Sequence, residues 1–331
     1  MATTKKSTKK STPKKAVTSK SLAKKTSPKS KSVKATVSSS SSKKSVTNKD
    51  SKKPKTSKSL AQTKKPTKSI IKKPRDIKTK LNIWNWVMAG LHTAQGVAVV
   101  ALSQNGLFPV TTSFITVDTI ADTGSAPTLV PATRNLFDIN LAYLVAAFFF
   151  MSAIAHLVIA TVYRKKYEAN LDRGINKARW IEYGISASTM MVGISLLAGV
   201  ADISTLMMIF GATLVMNLLG LMMEVHNQTT SKTSWLSFNI GTLSGLLPWL
   251  TVGIYFWGAN MYGEGNIPTF VYYIYGSMFV FFSSFAINMY LQYKKKGKWA
   301  DYFYGEKTYM VLSLVAKSVL AWQIFAGALR P

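Results

Sequence analysis

The chain has 331 residues and a net charge of +29, from 42 Lys and Arg against 13 Asp and Glu. It has no cysteine, which excludes disulfides, thiolate metal sites and a cysteine nucleophile. Most of the basic residues fall in residues 1–80, where only Asp50 and Asp76 oppose them, while the remainder is rich in aromatic and aliphatic residues.

Residues 1–80 contain no aromatic residue and are dominated by Lys, Ser and Thr. Such a stretch buries too little apolar surface to offset its ordering entropy, so a disordered basic tail is predicted. No secretory leader is expected, because the first apolar run begins near Ile83. The membrane domain is therefore read as residues 81–331.

Crossing a ~30 Å hydrocarbon core takes about 20 mostly apolar residues. Seven such spans are predicted, at about 83–103, 139–163, 178–200, 203–225, 235–258, 269–292 and 308–329. Trp84, Trp86, Trp180, Trp235, Tyr290, Tyr293 and Trp299 mark their ends, as interfacial aromatics do. The third and fourth spans are separated only by Ala201 and Asp202, but together they are too long for one crossing.

The loop 104–137 is rich in β-branched residues and has a turn signal at Asp122, Gly124 and Ser125. Strands near 111–120 and 127–131 are predicted to form a small hairpin, which is a cap, a dimer contact or simply an ordered loop. The loops 164–179 and 293–307 are strongly basic, whereas the opposite side has Arg134 and Arg330 beside Asp118, Asp122, Asp202 and Glu264. By the positive-inside rule the N-terminus is cytoplasmic and the C-terminus outside. The predicted fold class is an all-α membrane protein, a rhodopsin-like bundle of seven transmembrane helices. It is inverted relative to the common seven-helix photoreceptors and G-protein-coupled receptors.

Lys317 lies within the last apolar stretch, Thr308 to Leu329, which contains no other charge. An ammonium at that depth costs about 2.5–3.5 kcal/mol on insertion scales, so it needs a partner or a function. A lysine amine condenses with an aldehyde, and the protonated Schiff base that results requires a carboxylate nearby. Glu182 is the candidate counterion. It lies about two turns into the third span, and at ~1.5 Å rise per residue both side chains reach a similar depth. The alternative is an interfacial pair of Glu182 with Arg179 or Lys177.

Ser313 precedes Lys317 by one helical turn and either bonds the linkage or its own backbone. Of Ser186 and Ser188, one is expected on the face of Glu182 while the other packs. His92 and His156, with Asn85, Gln95 and Asn140, suggest a polar inner cavity in which the histidines accept a proton or are simply fixed by hydrogen bonds. An elongated polyene needs flat walls, and Tyr183, Trp249, Phe282 and Trp322 are the candidates, with ordinary packing as the alternative. Glu224 and His226 are read as interfacial. No acid occurs between Tyr183 and Val200, so the relay of a light-driven proton pump is missing and pumping is disfavoured. No metal site is expected.

The segments RWIEYGISAS, NMYLQYKKKGKWADYFYGEK and YMVLSLVAKSVLAW, with the LHTAQG and FMSAIAH runs, resemble heliorhodopsins, the inverted seven-helix retinal proteins. The resemblance covers about residues 81–331 and leaves the basic tail outside. It implies all-trans-retinal on Lys317, Glu182 as counterion and Ser313 beside the linkage. It also places His92 and His156 in a cytoplasmic polar cavity, and implies a homodimer with a β-structured outer loop.

The expected function is that of a light-absorbing sensory or regulatory protein, neither a pump nor an enzyme. The alternative is a light-gated passive proton or cation channel lined by Glu224, His226, Asp138 and Asp202. A third possibility is a retinal-independent scaffold. The tail is expected to bind anionic lipid headgroups at ~1 kcal/mol per basic residue near the surface. Binding to nucleic acid is disfavoured because the tail has no aromatic stacking platform.

Overall fold

The computed structural model describes residues 74–118, 128–263 and 267–331, with side chains from Ile77 onward. The predicted tail up to residue 73, the Asp122–Ser125 turn and Glu264 lie outside the described residues. Among the described residues there are seven helices of 20 residues or more: α1 (Pro74–Leu102), α2 (Leu141–Ala160), α4 (Lys177–Leu197), α5 (Ile203–His226), α6 (Leu236–Tyr262), α7 (Thr269–Tyr293) and α8 (Tyr302–Ile324). A short helix, α3 (Arg164–Leu171), lies in the first basic loop, and a π-helical turn, Phe325–Leu329, extends α8.

Five of these helices, α2, α5, α6, α7 and α8, are long and apolar enough to cross a membrane. The other two have the length but are more polar, through Asn85, His92 and Gln95 in α1 and Glu182 with several Ser and Thr in α4. Large side chains such as Leu243, Leu247, Leu250, Ile254 and Trp257 stand exposed along one helix. An apolar exterior of this kind suits lipid rather than water.

Side chains cap several helix starts. Asn140 accepts from Ala142 N, Asn176 from Arg179 N, Asp202 from Thr205 N and Asp301 from Phe303 N, each satisfying an orphan amide of the first turn. The helix α1 begins at Pro74, ahead of the compositional break at 80/81. Proline is preorganised for a first helical position, and Ile77, Leu81 and Trp84 pack against Ile159, Tyr167 and Leu171. The α4/α5 junction turns at Gly199, whose φ of +88° is a left-handed conformation suited to glycine.

Strands β1 (Leu107–Val117) and β2 (Leu129–Asn140) form an antiparallel hairpin with an irregularity between Val110 and Thr111. Strand β1 starts four residues before the predicted 111 and ends at Val117, and β2 runs nine residues beyond the predicted 131. Pairing continues through Phe108↔Ile139 to Leu107↔Asn140, directly against the first turn of α2, so that helix starts at Leu141 rather than near 139. The hairpin is fixed to the start of α5 by Thr111 N–H donating to Ala201 O at 2.8 Å and Ser113 N–H to Asp202 Oδ1 at 3.2 Å. The Ser204 hydroxyl and the Thr205 amide hold the Asp202 carboxyl below the usual carboxylate range.

The helix pairs α1–α2, α2–α4, α4–α5, α5–α6, α7–α8 and α8–α1 approach closely along their backbones. Helices α6 and α7 instead meet through aromatic side chains, with Trp249 edge-on to Tyr275, Phe279 and Phe282 at centroid distances of 5.4–5.5 Å. A partly open space of about 290 Å³ lies along this seam. Where helices approach closely, glycine makes room: a Cβ on Gly220 would overlap the Trp180 ring. Gly220→Ala is therefore expected to lower the apparent Tm in detergent, by overpacking worth about 1–3 kcal/mol. Gly90→Ala, which meets nothing within 4 Å, should leave the Tm unchanged or higher.

Candidate functional site

The only ionic pair on Lys317 among the described residues is with Glu182. The Lys317 ammonium donates to Glu182 Oε1 at 3.2 Å and to Ser313 Oγ at 2.8 Å. Both ionic side chains are buried, Lys317 3 % and Glu182 9 % exposed. The hydroxyls of Ser152 (2.5 Å) and Ser186 (2.8 Å) donate to the same Oε1. Three donors on one oxygen fix the carboxylate and offset the loss of its hydration. The geometry follows from helix periodicity: Ser186 and Ser313 sit one turn from Glu182 and Lys317 on the same faces.

Of the residues singled out in the sequence, Lys317, Glu182, Ser313 and Ser186 converge here. Tyr183 lies beside them, its ring centroid 5.3 Å from Lys317 Nζ and its hydroxyl donating to Tyr309 O at 2.8 Å. Ser188 does not join the group, because its hydroxyl returns to Gly184 O at 2.6 Å on its own helix. Trp322 is not a wall either. It is 37 % exposed on the outside of α8, with Nε1 reaching Gln95 at 3.3 Å. Asn140 caps α2 at the hairpin rather than lining the interior.

His156 is buried next to this site, with Nδ1 2.8 Å from Asn85 Oδ1. His92 stacks on it at 5.7 Å, and neither ring nitrogen of His92 has a partner. The two histidines thus do sit together in the interior, between α1 and α2.

Two cavities lie on this side of the bundle, and one of them reaches Lys317. One of about 50 Å³ is lined by Lys317, Ser313, Tyr183, Met190, Asn217 and Phe282. The other, about 290 Å³ and partly open, is lined by Trp249, Phe279, Phe282, Phe285, Gly241 and Gly245. They share Met216, Asn217, Phe282 and Phe285. Apolar space with aromatic walls thus leads from the amine toward the α6–α7 seam.

The bundle differs at its two ends. Toward the β-hairpin, Lys317 is followed by a tight apolar core of Phe148, Phe149, Met191, Ile194, Leu320 and Ile324. Toward the basic loops lies a second polar group. Arg179 donates to Glu224 and to Glu306, and all three are buried. Glu224 is therefore not interfacial as its position near a helix end suggests, whereas His226 is exposed. Asp138 is also exposed, and accepts from Asn135 Nδ2 on the hairpin. Sequence reasoning missed Ser152, one turn from His156 on the same face of α2, and missed Glu306, which sits just past the first turn of α8 beside exposed charges.

A family model for heliorhodopsins matches residues 81–329. No curated protein matches the chain. Among solved structures, a light-driven proton pump, LR (Mac), from Leptosphaeria maculans is similar in fold at 16 % identity and a TM-score of 0.52. The match covers 76 % of this chain and 94 % of that one.

Removing one member of a buried ion pair costs about 3–5 kcal/mol, because the other charge stays buried without compensation. Lys317→Met should therefore strongly lower the apparent Tm of protein purified without cofactor. Adding Glu182→Gln should recover most of the loss. Equal or additive losses in the double variant would show that the two side chains are not energetically coupled.

Proposed function

The chain belongs to the heliorhodopsin family, and from that premise we propose that it is a light sensor or regulator rather than a pump. Membership makes it an integral multi-pass membrane protein with a retinal chromophore. The observation that carries the proposal is the buried Lys317–Glu182 pair, whose Lys317 lines a cavity with aromatic walls. Retinal, when bound, supplies absorption of visible light and a change of shape on excitation.

The residues present suit such a group. Lys317 offers the amine for covalent attachment, and Tyr183, Phe282 and Trp249 offer flat apolar walls. The extended all-trans isomer suits a cavity pair running from Lys317 past Phe282 to Trp249. Glu182 holds an anion against the positive charge at the Lys317 nitrogen, and Ser152 and Ser186 keep it aimed there. An opposite charge at that distance favours the protonated form of the nitrogen. Ser313 accepts from the same nitrogen and limits its rotation.

Absence of transport is supported by the hairpin-side core. Among the described buried residues there, no carboxylate, amine or imidazole follows Lys317 on α8 or Glu182 on α4. In the proposed topology all seven long helices cross the membrane, with the basic loops and N-terminus cytoplasmic and the C-terminus outside. A homodimer through the hairpin is part of the proposal. Residues 1–80 would hold an anionic lipid surface, in preference to nucleic acid. A light-gated passive channel is the second reading, favoured by the polar groups between Lys317 and the basic loops.

Full-length protein and residues 81–331, each supplied with all-trans-retinal, are expected to show a visible absorption band. Hydroxylamine should bleach that band and Lys317→Ala should lack it; a well-folded wild type with no band would overturn the proposal. Under voltage clamp, illumination should give no current, whereas a current that reverses with the proton gradient would select the channel. Full-length protein should bind anionic liposomes and be released by high salt, unlike residues 81–331; equal binding of both would remove the role given to the tail.

A further inference from the structure

Arg179, Glu224 and Glu306 form a buried ionic group that the retinal site does not use, joining α4, α5 and α8. Asn176 adds two donors, its backbone N–H to Glu224 Oε2 at 2.8 Å and its side-chain amide to Glu306 Oε2 at 2.6 Å. Each carboxylate oxygen thus has a donor, but one guanidinium faces two carboxylates. The ion pairs of the described residues bring it no second cation. A net negative charge in a buried site is costly. One added proton makes the group neutral, so the group favours taking up a proton over releasing one.

The cavity beside it shows which carboxylate is reached. A polar space of about 20 Å³ has Glu182, His156 and Asn85 on one side and Asn176, Arg179 and Glu306 on the other. Roughly 10–15 Å³ suffices for one water held by polar groups. Glu306 lines this space and Glu224 does not. Three buried donors at the cluster, Arg179 Nε and the Tyr302 and Tyr309 hydroxyls, have no acceptor among the described residues, and buried donors of that kind are met by ordered water.

We propose that Glu306 is a proton-holding site that exchanges a proton with the Glu182–His156 end of the cavity through a bridging water. The donor is the Glu182 carboxyl O–H or the His156 imidazolium N–H. That bond breaks with its electron pair left on the donor, and the water takes the proton. The water passes one of its own protons to Glu306, forming a carboxylic O–H, and Arg179 remains paired with Glu224. No electron is transferred. Besides Arg179, the titratable groups facing the cluster are Glu224 from α5, Tyr302 and Tyr309 from α8, Tyr183 from α4, Tyr293 from α7 and Tyr167 from α3. The phenols are neutral across the working pH range, so the proton balance rests on the two carboxylates. The use of this site in a light response rests on the photoreceptor reading, but its existence does not.

The test is pH-difference infrared spectroscopy of the full-length protein in lipid, with and without retinal. As pH falls, a buried carboxylic acid C=O band is expected in both preparations. Glu306→Gln should abolish it and Glu306→Asp should shift its frequency. Glu224→Gln removes the excess negative charge, so the band should persist but titrate about one pH unit or more lower. A band that survives in Glu306→Gln would overturn the proposal. So would a band unmoved in pH by Glu224→Gln, or no band over the range in which the protein stays folded. If Glu306→Gln does not fold, Glu306→Asp decides, since an unshifted band would equally overturn it. The visible band recorded in parallel reports separately on the photoreceptor reading, because a Glu306 signal without that band would overturn only the latter.

Discussion

A single ammonium buried in an otherwise uncharged stretch of helix sets the terms for the rest of the structure. Lys317 is 3 % exposed, and a charge at such a depth persists only if something opposes it. Glu182 does so from α4 at 3.2 Å, but a carboxylate placed there needs desolvation offset in turn. Ser152 from α2 and Ser186 from α4 supply that, both on the oxygen that faces Lys317. Three helices are thereby held at one depth and in one rotation. The cavity at α6 and α7 opens where this polar group ends and bulky aromatic residues keep the backbones apart.

The same constraint is met differently one turn earlier on α4. Arg179 carries the fixed charge there, and carboxylates on α5 and α8 oppose it. Its guanidinium also lies 4.0 Å from the centroid of the Tyr309 ring, so charge and aromatic packing share one space. Helix α4 therefore presents two ionic contacts on neighbouring turns, one balanced by a single partner and one carrying an extra negative charge. A small displacement of α4 against α8 acts on both at once, because Glu306 and Lys317 belong to the same helix.

How much of this was legible in the sequence depended on depth. Lys317 and Glu182 stand out because each is an isolated charge in an apolar run, where periodicity assigns both a face and a level. Ser313 and Ser186 follow by one-turn spacing. Glu224, Arg179 and Glu306 did not stand out, since each lies near a helix end, where a charge ordinarily reaches water. Their burial comes from α3, the loop 172–176 and the first turn of α8 closing over them, and that is tertiary structure. Trp322 failed as a wall for a related reason: hydropathy marks an aromatic residue as membrane-embedded but does not say whether it faces the bundle or its exterior. The hairpin was visible as β-branched composition, yet its length was not, because pairing extends through Asn135 and Asp138, residues with little strand preference of their own.

The uneven distribution of polar groups also bears on direction. From Lys317 toward the hairpin the core is closed by Phe148, Phe149, Met191, Ile194 and Leu320, and among the described residues no carboxylate, amine or imidazole follows on α4 or α8. Toward the basic loops it finds Glu182, His156 and then the Arg179 cluster across one small polar cavity. In the proposed reading, a proton displaced from the neighbourhood of Lys317 is steered to one side, and its return follows the same groups in reverse. A cycle that gives up and recovers a proton on one side moves no net charge across the membrane. It does alter the charge of a cluster that ties α4, α5 and α8 together, and a change of charge at a joint between helices is a mechanical signal.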